Sequence, residues 1–420
     1  MAADLYPMIS VEEAQQRILS YFHPLDAEEV PLLQAVDRVL ADDVVSPLAV
    51  PPHDNTAMDG YAVRAADTIG ASAERPRELQ VIYDLAAGHT TEVHVLPATA
   101  IRIMTGAPIP PGADAVVPFE ETDERPQLGD QPRTTIKVYK ETRIGANIRR
   151  AGEDVQKGEV VLRKGSVLRP ADVGVLASLG YDRVEVIRRP LVAILATGDE
   201  LVEPGQPLAA GQIYNSNNYT VAAAVQRAGG IPLVLGIARD RLDDITAKIH
   251  AALDAKADFL LTSAGVSVGE FDLVKKVLAS EGEISFWRVR MKPGKPLAFG
   301  QIHGMPHLGL PGNPVSSLVS FDLLARPAIL VMQGKTRLHR PHVQAVFDDE
   351  VRSKDDRRHY LRVIVEQRNG EYHARLTGEQ GSGILTSMAR ANGLAVIPED
   401  WTSVKRGDHV QVIMLDWPEQ

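Results

Sequence analysis

DFLLTSAGVSVGEFDLVKKVLASEGEISFWRVRMKPGKP, residues 258–296, is the stretch from which the fold is read. Phe259-Leu260-Leu261 has the length and composition of a buried strand. Small residues follow (Thr262, Ser263, Ala264, Gly265, Ser267, Gly269), and then Phe271, Val274 and Leu278 recur at helical spacing. A strand, a Gly/Ser turn and a helix in succession aim backbone N–H groups at an anion. Downstream, Arg288, Arg290, Lys292 and Lys295 form a basic run without an acid, and Pro293-Gly294 sets a turn within it. The pattern predicts an oxyanion cradle beside a cationic loop. The competing reading is an ordinary βα turn followed by a solvated basic loop.

Outward from this stretch, apolar runs alternate with helical patterns. LVAILAT (191–197), PLVLGI (232–237), LAFG (297–300) and HLGL (307–310) read as further strands. Residues 217–228, 242–253 and a segment carrying Leu318, Phe321, Leu324 and Leu330 read as helices. The alternation predicts a doubly wound, parallel α/β sheet, whose ligands sit beyond the carboxyl ends of the strands. Polar loops fall at those ends: TGDEL (197–201), the 263–272 turn and PGNPVSS (311–317).

Ahead of this domain, Ser10 and Glu13 form a capping box that opens a helix through Leu19. A second short helix is expected to carry Leu32, Leu33, Val36, Val39 and Leu40, and another to start at Pro170 with Gly180 as its C′ residue. Between them, LQVIYDL (79–85), EVHVL (92–96), AIRIM (100–104), AVVPF (115–119) and TTIKVYK (134–140) read as strands of an inserted β domain. After Gly334 the alternation returns to strands alone.

A length of 420 residues allows two to four domains. The formal charge of −10 argues against broad nucleic-acid binding and makes any anion site a local exception. The absence of cysteine excludes thiolate metal sites and thiol catalysis. Residues 1–16 do not read as a secretory signal, and no apolar run was found that approaches a membrane span, so a soluble, cytoplasmic protein is expected. The 12 histidines show no HxxxH or HExxH spacing and are read as structural or solvated. There is no P-loop, no dinucleotide fingerprint after a strand and no GxSxG elbow.

Candidate chemistry therefore rests on loops. The 265–272 turn, the 288–295 run and Pro311-Gly312-Asn313-Pro314 could share an oxyanion, with Ser263, Ser267, Ser316 and Ser317 as donors. Asp54, Asp59, Asp154, Asp199, Glu200 and Asp272 lie in polar loops. Asp199 and Glu200, directly after a strand, are the best-placed ligands for a hard cation such as Mg2+. For any one of these acids, a solvated loop position or a helix cap is the competing reading.

Seven motifs together match a known family: DNTAMDGYAVR (54–64), IRIMTGAPIP (101–110), GANIRRAGEDV (145–155), ATGDEL (196–201), GVSVGEFD (265–272), MKPGKPLAFG (291–300) and LPGNPVS (310–316). Through them the chain resembles the molybdenum insertases, or molybdopterin molybdenumtransferases, which include bacterial MoeA and the gephyrin E domain. The resemblance implies an elongated helical region (1–58 and 142–182) carrying the inserted β domain (59–141). A molybdopterin-binding α/β domain (183–333) and a C-terminal β-barrel (334–420) follow. It implies insertion of molybdate into adenylylated molybdopterin with Mg2+-dependent release of AMP, in a homodimer whose active sites are completed by the partner's β insert.

By the same resemblance, Asp199, Glu200 and Asp272 hold Mg2+ or orient water, and Asp258 supports the loop. Arg288, Lys292 and Lys295 neutralise molybdate and phosphate, with Gly265, Ser267, Gly269, Asn313 and Ser316 around the ligand. Arg362 and Ser382 contribute from the C-terminal domain, and Asp59, Thr105 and Asp154 from the partner subunit. The chain departs from the family at Ala264, where Gly-Gly is usual, and at Arg288, where some relatives have lysine. Tungstate insertion, molybdopterin adenylyltransferase activity and a gephyrin-like scaffold are the alternatives. An adenylyltransferase and molybdoenzyme maturation factors are the expected partners; nucleic acid and membrane are not.

Overall fold

The computed structural model describes residues 7–124, 133–263, 277, 280–352 and 355–417. By their contacts, residues 29–185 form one unit, and residues 1–28 with 186–420 form the other.

The larger unit is built on seven strands: β1 (Met8–Ile9), β2 (Leu191–Thr197), β3 (Ile231–Ala238), β4 (Phe259–Ser263), β5 (Gly282–Val289), β6 (Pro296–Ile302) and β7 (Met305–Leu310). They lie in the order β1-β5-β6-β7-β4-β2-β3. The block β7-β4-β2-β3 is parallel, as expected. The sheet as a whole is mixed, because β6 runs antiparallel to both β5 and β7. Only His303 and Gly304 separate β6 from β7, and a two-residue turn joins antiparallel strands alone. The sequence reading does not contain β5, whose C-terminal end coincides with the start of the basic run.

Both faces of the parallel block are covered. Val192, Ile194, Phe259 and Leu261 face one core, while Ala193, Leu195 and Leu260 face another. That period-two alternation with apolar residues on both sides is why LVAILAT and FLL read as unbroken apolar runs. Helices α1 (Val11–Leu19) and α2 (Ser216–Arg227) pack on the first face, and α3 (Leu242–Asp254) on the second. Ser10 caps α1 through the Glu13 N–H at 3.0 Å. The expected 1–58 region thus begins with a helix that belongs to the α/β core, because Val11, Ala14 and Ile18 are buried there.

A fourth helix, α4 (Pro314–Met332), is 19 residues long with mean hydropathy 1.6, so it is long and apolar enough to cross a membrane. The helix itself is the one expected around Leu318, Phe321, Leu324 and Leu330; only its apolar length is unforeseen, because Asp322 and Arg326 interrupt the run. Here 83% of it is buried inside the protein, as a core helix. Pro327 cannot donate to the Leu323 carbonyl, and the helix relaxes into a π-helical turn over Phe321–Ala325. The side-chain amide of Gln15, from α1, donates to that carbonyl at 2.8 Å.

The C-terminal strands close a barrel. Arg358–Arg368, Glu371–Leu376, His342–Phe347, His409–Met414 and Gly393–Ile397 pair in succession, and the last pairs back onto the first. Met291–Lys292 adds to Arg358-His359 as a parallel edge.

The 29–185 unit holds a five-stranded sheet in the order Ala115–Pro118, Gly60–Val63, Thr99–Ile103, Arg77–Leu85, Thr135–Val138. Tyr61 and Val63 face one core and Ala62 the other. Residues 92–96, expected as a strand, are a loop. The expected helix over 32–40 is only a 3-10 turn, Leu32–Gln34, because Asp37 sits at φ 63° and ends it. Pro170–Ser178 is the one α-helix among the described residues here. It ends as predicted, with Gly180 at φ 86° and the Tyr181 N–H bonded to the Leu176 carbonyl.

Replacing Gln15 by Met keeps the packing but leaves the Leu323 carbonyl without its donor. The expected loss is about 1 kcal/mol. Thermal unfolding of the full chain should fall by about 1–2 °C, and an unchanged transition would remove Gln15 from this role.

Candidate functional site

At the carboxyl ends of the parallel strands lies a cleft of about 700 Å³. Thr197 ends β2 and Ser263 ends β4, and both line it. Beyond β7, Pro311, Gly312, Asn313, Pro314 and Ser316 form its opposite wall. Two helices start at this cleft. Asn215 caps α2 by accepting from the Asn218 N–H, and Ser216 and Asn217 line the cleft beside it. Asn313 precedes Pro314, the first residue of α4. The positive ends of both helix dipoles therefore meet at one place, an arrangement suited to a polyanion.

The Asn217 amide nitrogen donates to the Gly312 carbonyl at 2.7 Å, which joins the two helix starts. Its Oδ1 is buried without a hydrogen-bond partner. Asn313 and Ser316 stand at the cleft as the sequence predicted. Ser317, predicted as a donor, is buried, and its hydroxyl does not line the cleft.

Of the two adjacent acids, only Glu200 lines the cleft. Asp199 turns toward the end of β3, where its Oδ1 accepts the Asp240 N–H at 3.3 Å. Arg239 holds the carbonyls of Asp199 and Leu201 at 3.2 and 3.1 Å. Gly198 makes this turn feasible: its φ is 141°, and a Cβ there would overlap the Glu200 carboxylate. The predicted carboxylate pair thus divides, one acid toward the cleft and one toward backbone. Gly265, Ser267, Gly269 and Asp272, the loop on which the cradle reading began, lie outside the described residues.

The basic run comes to the same rim, since β5 is parallel to β7 in direction through β6. None of Arg288, Lys292 and Lys295 lines the cleft, but Pro296, next after Lys295, does. The Lys292 ammonium lies 3.2 Å from Asp355. Asp355 also receives Arg357 and His359, and these donors, Arg357 foremost, hold its carboxyl well below the usual carboxylate range.

Two predicted site residues are elsewhere. Asp258 precedes β4 and so lies at the far end of the sheet, about 16 Å from Ser263 along an extended chain. It accepts both guanidinium nitrogens of Arg188 at 2.6 and 2.8 Å and the Leu191 N–H at 2.8 Å, which pins the starts of β2 and β4 together. Asp258 thus braces the strand starts, away from the cleft and from the loop it was expected to support. Arg362 is 1% exposed inside the barrel, and burial pushes its guanidinium down to about 10, still charged at neutral pH. It donates to Ser387 Oγ and the Gly381 carbonyl, each at 3.1 Å. It positions the segment whose Ser382 carbonyl accepts the Val315 N–H of α4 and whose Gly383 lines the cleft.

In the 29–185 unit three motifs converge. The 54–59 segment bonds to 106–109 and to 147–151 through backbone and side chains. Asp59 accepts the Thr105 N–H and hydroxyl, each at 2.7 Å, and these bonds, the N–H first, hold its carboxyl below the usual value. Asp154 is exposed, with its N–H on the Val50 carbonyl.

Sequence reasoning missed Thr197, Asn215, Ser216, Asn217 and Gly383. The signal for three of them was present, since NSNN before an apolar pattern is a helix-cap signature.

Three family models match the chain. "MoeA N-terminal region (domain I and II)" covers residues 9–180, "Probable molybdopterin binding domain" residues 193–330, and "MoeA C-terminal region (domain IV)" residues 344–415. Molybdopterin molybdenumtransferase 2 of Mycobacterium tuberculosis is 40% identical over 414 residues, 96% of this chain and 99% of that protein. Molybdopterin molybdenumtransferase of Haemophilus influenzae is 37% identical over 96% of this chain and 98% of its own length. The crystal structure of a molybdopterin biosynthesis MoeA protein from Pyrococcus horikosii superposes with a TM-score of 0.82 at 33% identity, over 98% of this chain and all of that one.

Gly198→Ala should strain the backbone by about 1–3 kcal/mol and drive Glu200 out of the cleft. A crystal structure of the variant with Glu200 unmoved would refute the constraint. Thr105→Val keeps the N–H but deletes the hydroxyl, so the Asp59 pKa should rise toward the ordinary 3.8 without reaching it. Because the folded value is depressed, this stabilisation is complete above the unfolded pKa and lost as pH falls through the folded one. The variant should lose it at a higher pH, which a carboxyl NMR titration will read; an unchanged titration would exclude the coupling.

Proposed function

Because this chain belongs to the MoeA family of molybdopterin molybdenumtransferases, we propose the following reading of its cleft. The protein acts in molybdenum cofactor biosynthesis by inserting molybdenum into molybdopterin. Its substrate is adenylylated molybdopterin, molybdate is the oxyanion, and AMP is released. The observation that carries the reading is the meeting of two helix starts, at Ser216 and Pro314, on one polar cleft that also holds Glu200. Phosphate and molybdate are both oxyanions that backbone N–H groups and helix dipoles stabilise.

Mg2+ is part of the proposal. The residues fit a hard cation: the Glu200 carboxylate is in the cleft, and Asn217 Oδ1 beside it is an acceptor without a donor. When bound, the ion would neutralise charge on the phosphoanhydride. The helix starts would hold the phosphates, Thr197, Ser263 and Ser316 would offer hydroxyl donors, and Glu200 would also be placed to orient water. Pairing with Asp355 keeps the Lys292 ammonium oriented until a more strongly charged anion competes for it.

The protein is proposed to act in the cytoplasm as a homodimer, with the exposed Asp59, Thr105 and Asp154 serving another subunit's cleft. An adenylyltransferase that supplies the substrate is the proposed upstream partner. The match to family models over 9–180 and 344–415, outside the molybdopterin-binding part, disfavours the adenylyltransferase reading for this chain itself.

The test is AMP release by the purified full chain from adenylylated molybdopterin, with and without molybdate and Mg2+, and with tungstate in parallel. Release should require Mg2+ and rise with molybdate. Glu200→Gln should lower its rate by about 100-fold. Tight substrate binding without release would favour a scaffold, and release indifferent to Glu200→Gln would remove Glu200 from the chemistry.

A further inference from the structure

The edge of the sheet opposite the cleft brings together three residues that no motif connects. His250 lies in the last turns of α3. Glu281 immediately precedes β5, and His303 occupies the turn between β6 and β7. They are separated along the chain by 31 residues (His250 to Glu281) and 22 residues (Glu281 to His303). The strand order places the ends of α3 and β6 at the amino-terminal edge of β4, so the group is remote from Thr197, Ser263 and Glu200.

The Nε2 atoms of His250 and His303 each lie 3.1 Å from the same oxygen, Glu281 Oε2. All three ligand atoms lie within 4.8 Å of one another. A tetrahedral zinc ion with bonds of about 2.0–2.1 Å needs neighbouring ligand atoms about 3.3 Å apart. Two of the three edges are thus already close to that length. Two imidazoles and one carboxylate are a donor set for zinc or a neighbouring first-row divalent ion, whereas Mg2+ wants oxygen donors. Exposure leaves the fourth position to water: His250 and His303 are 54% and 58% exposed, and Glu281 is 20% exposed.

The hairpin backbone sets this placement. His303 is at φ 47° and Gly304 at φ 85°, the conformation of a two-residue hairpin turn in which Asn-Gly is the usual pair. A histidine there projects an imidazole from the tip of the hairpin toward α3. Plain hydrogen bonding of two imidazoles to one carboxylate would produce the same distances, and only metal affinity separates the two.

We propose that His250, Glu281 and His303 form a zinc-class divalent metal site that clamps the β6–β7 hairpin and the start of β5 to α3. It is distinct from the cation of the cleft. Binding the folded state selectively, the metal would raise stability in proportion to its saturation.

The experiment is calorimetric titration of the untagged, chelator-treated full chain with zinc chloride, followed by thermal unfolding with and without the metal. The wild type should bind one equivalent in the micromolar range or tighter on the order-of-magnitude scale of protein zinc sites. His250→Gln and His303→Asn should each weaken it by about 100-fold or more, ligands being at least as sensitive as their outer partners. Asparagine suits the left-handed turn, so His303→Asn preserves the hairpin. Glu200→Gln should bind zinc like the wild type, and zinc should raise the unfolding temperature of the wild type and Glu200→Gln alone. Absence of saturable binding by the wild type, or equal binding by both histidine variants, would overturn the proposal.

Discussion

Burial of the parallel strands on both faces is the constraint from which the rest of this unit follows. Val192 and Ile194 go to one core, Ala193 and Leu195 to the other, and their backbone groups are satisfied sideways by β3 and β4. A polar side chain along such a strand needs a buried partner, as Thr262 and His307 find in each other at 3.0 Å; other polar side chains are excluded. They collect where the strands stop, at Thr197 and Ser263. Because helices must cover both faces and each returns the chain to the opposite edge, the starts of α2 and α4 are delivered to the same rim. The cleft's affinity for anions is thus a consequence of how the core is covered.

The C-terminal barrel contributes to the same place by indirect means. A charged guanidinium inside a barrel is unfavourable unless its hydrogen bonds are filled, and Arg362 fills them with Ser387 and Gly381. Those bonds hold the 381–387 segment, whose Ser382 carbonyl then caps a free N–H in the first turn of α4. The cleft therefore depends on a residue that does not line it. Asp258 is comparable at the other end of the sheet: bidentate and 11% exposed, its pair with Arg188 contrasts with the many exposed ion pairs, which are worth about 0–1 kcal/mol each.

Much of the fold was legible. The apolar runs gave β2, β3, β4 and β7, the Ser10 and Gly180 caps were read correctly, and the seven motifs led to the family. The failures have physical causes. Asp37 at φ 63° cut short a helix that residue spacing favoured, and the polar residues of α4 hid its length. The direction of β6 was set by a turn too short for a crossover. Of the residues singled out from the sequence, Glu200, Asn313 and Ser316 line the cleft, but Asp199, adjacent to Glu200, points to a backbone N–H.

By itself, the sequence determined the parallel α/β core, the flanking β domains, the family and the loops that would carry polar chemistry, because periodicity, caps and motifs are local properties. Which side chains meet was decided only by tertiary structure. Contact across the sheet depends on strand order, which spacing along the chain does not encode. That is why Asn217 came to Gly312 and Arg362 to Gly381. It is also why His250, Glu281 and His303, unrelated by any short motif, converge on a single carboxylate oxygen.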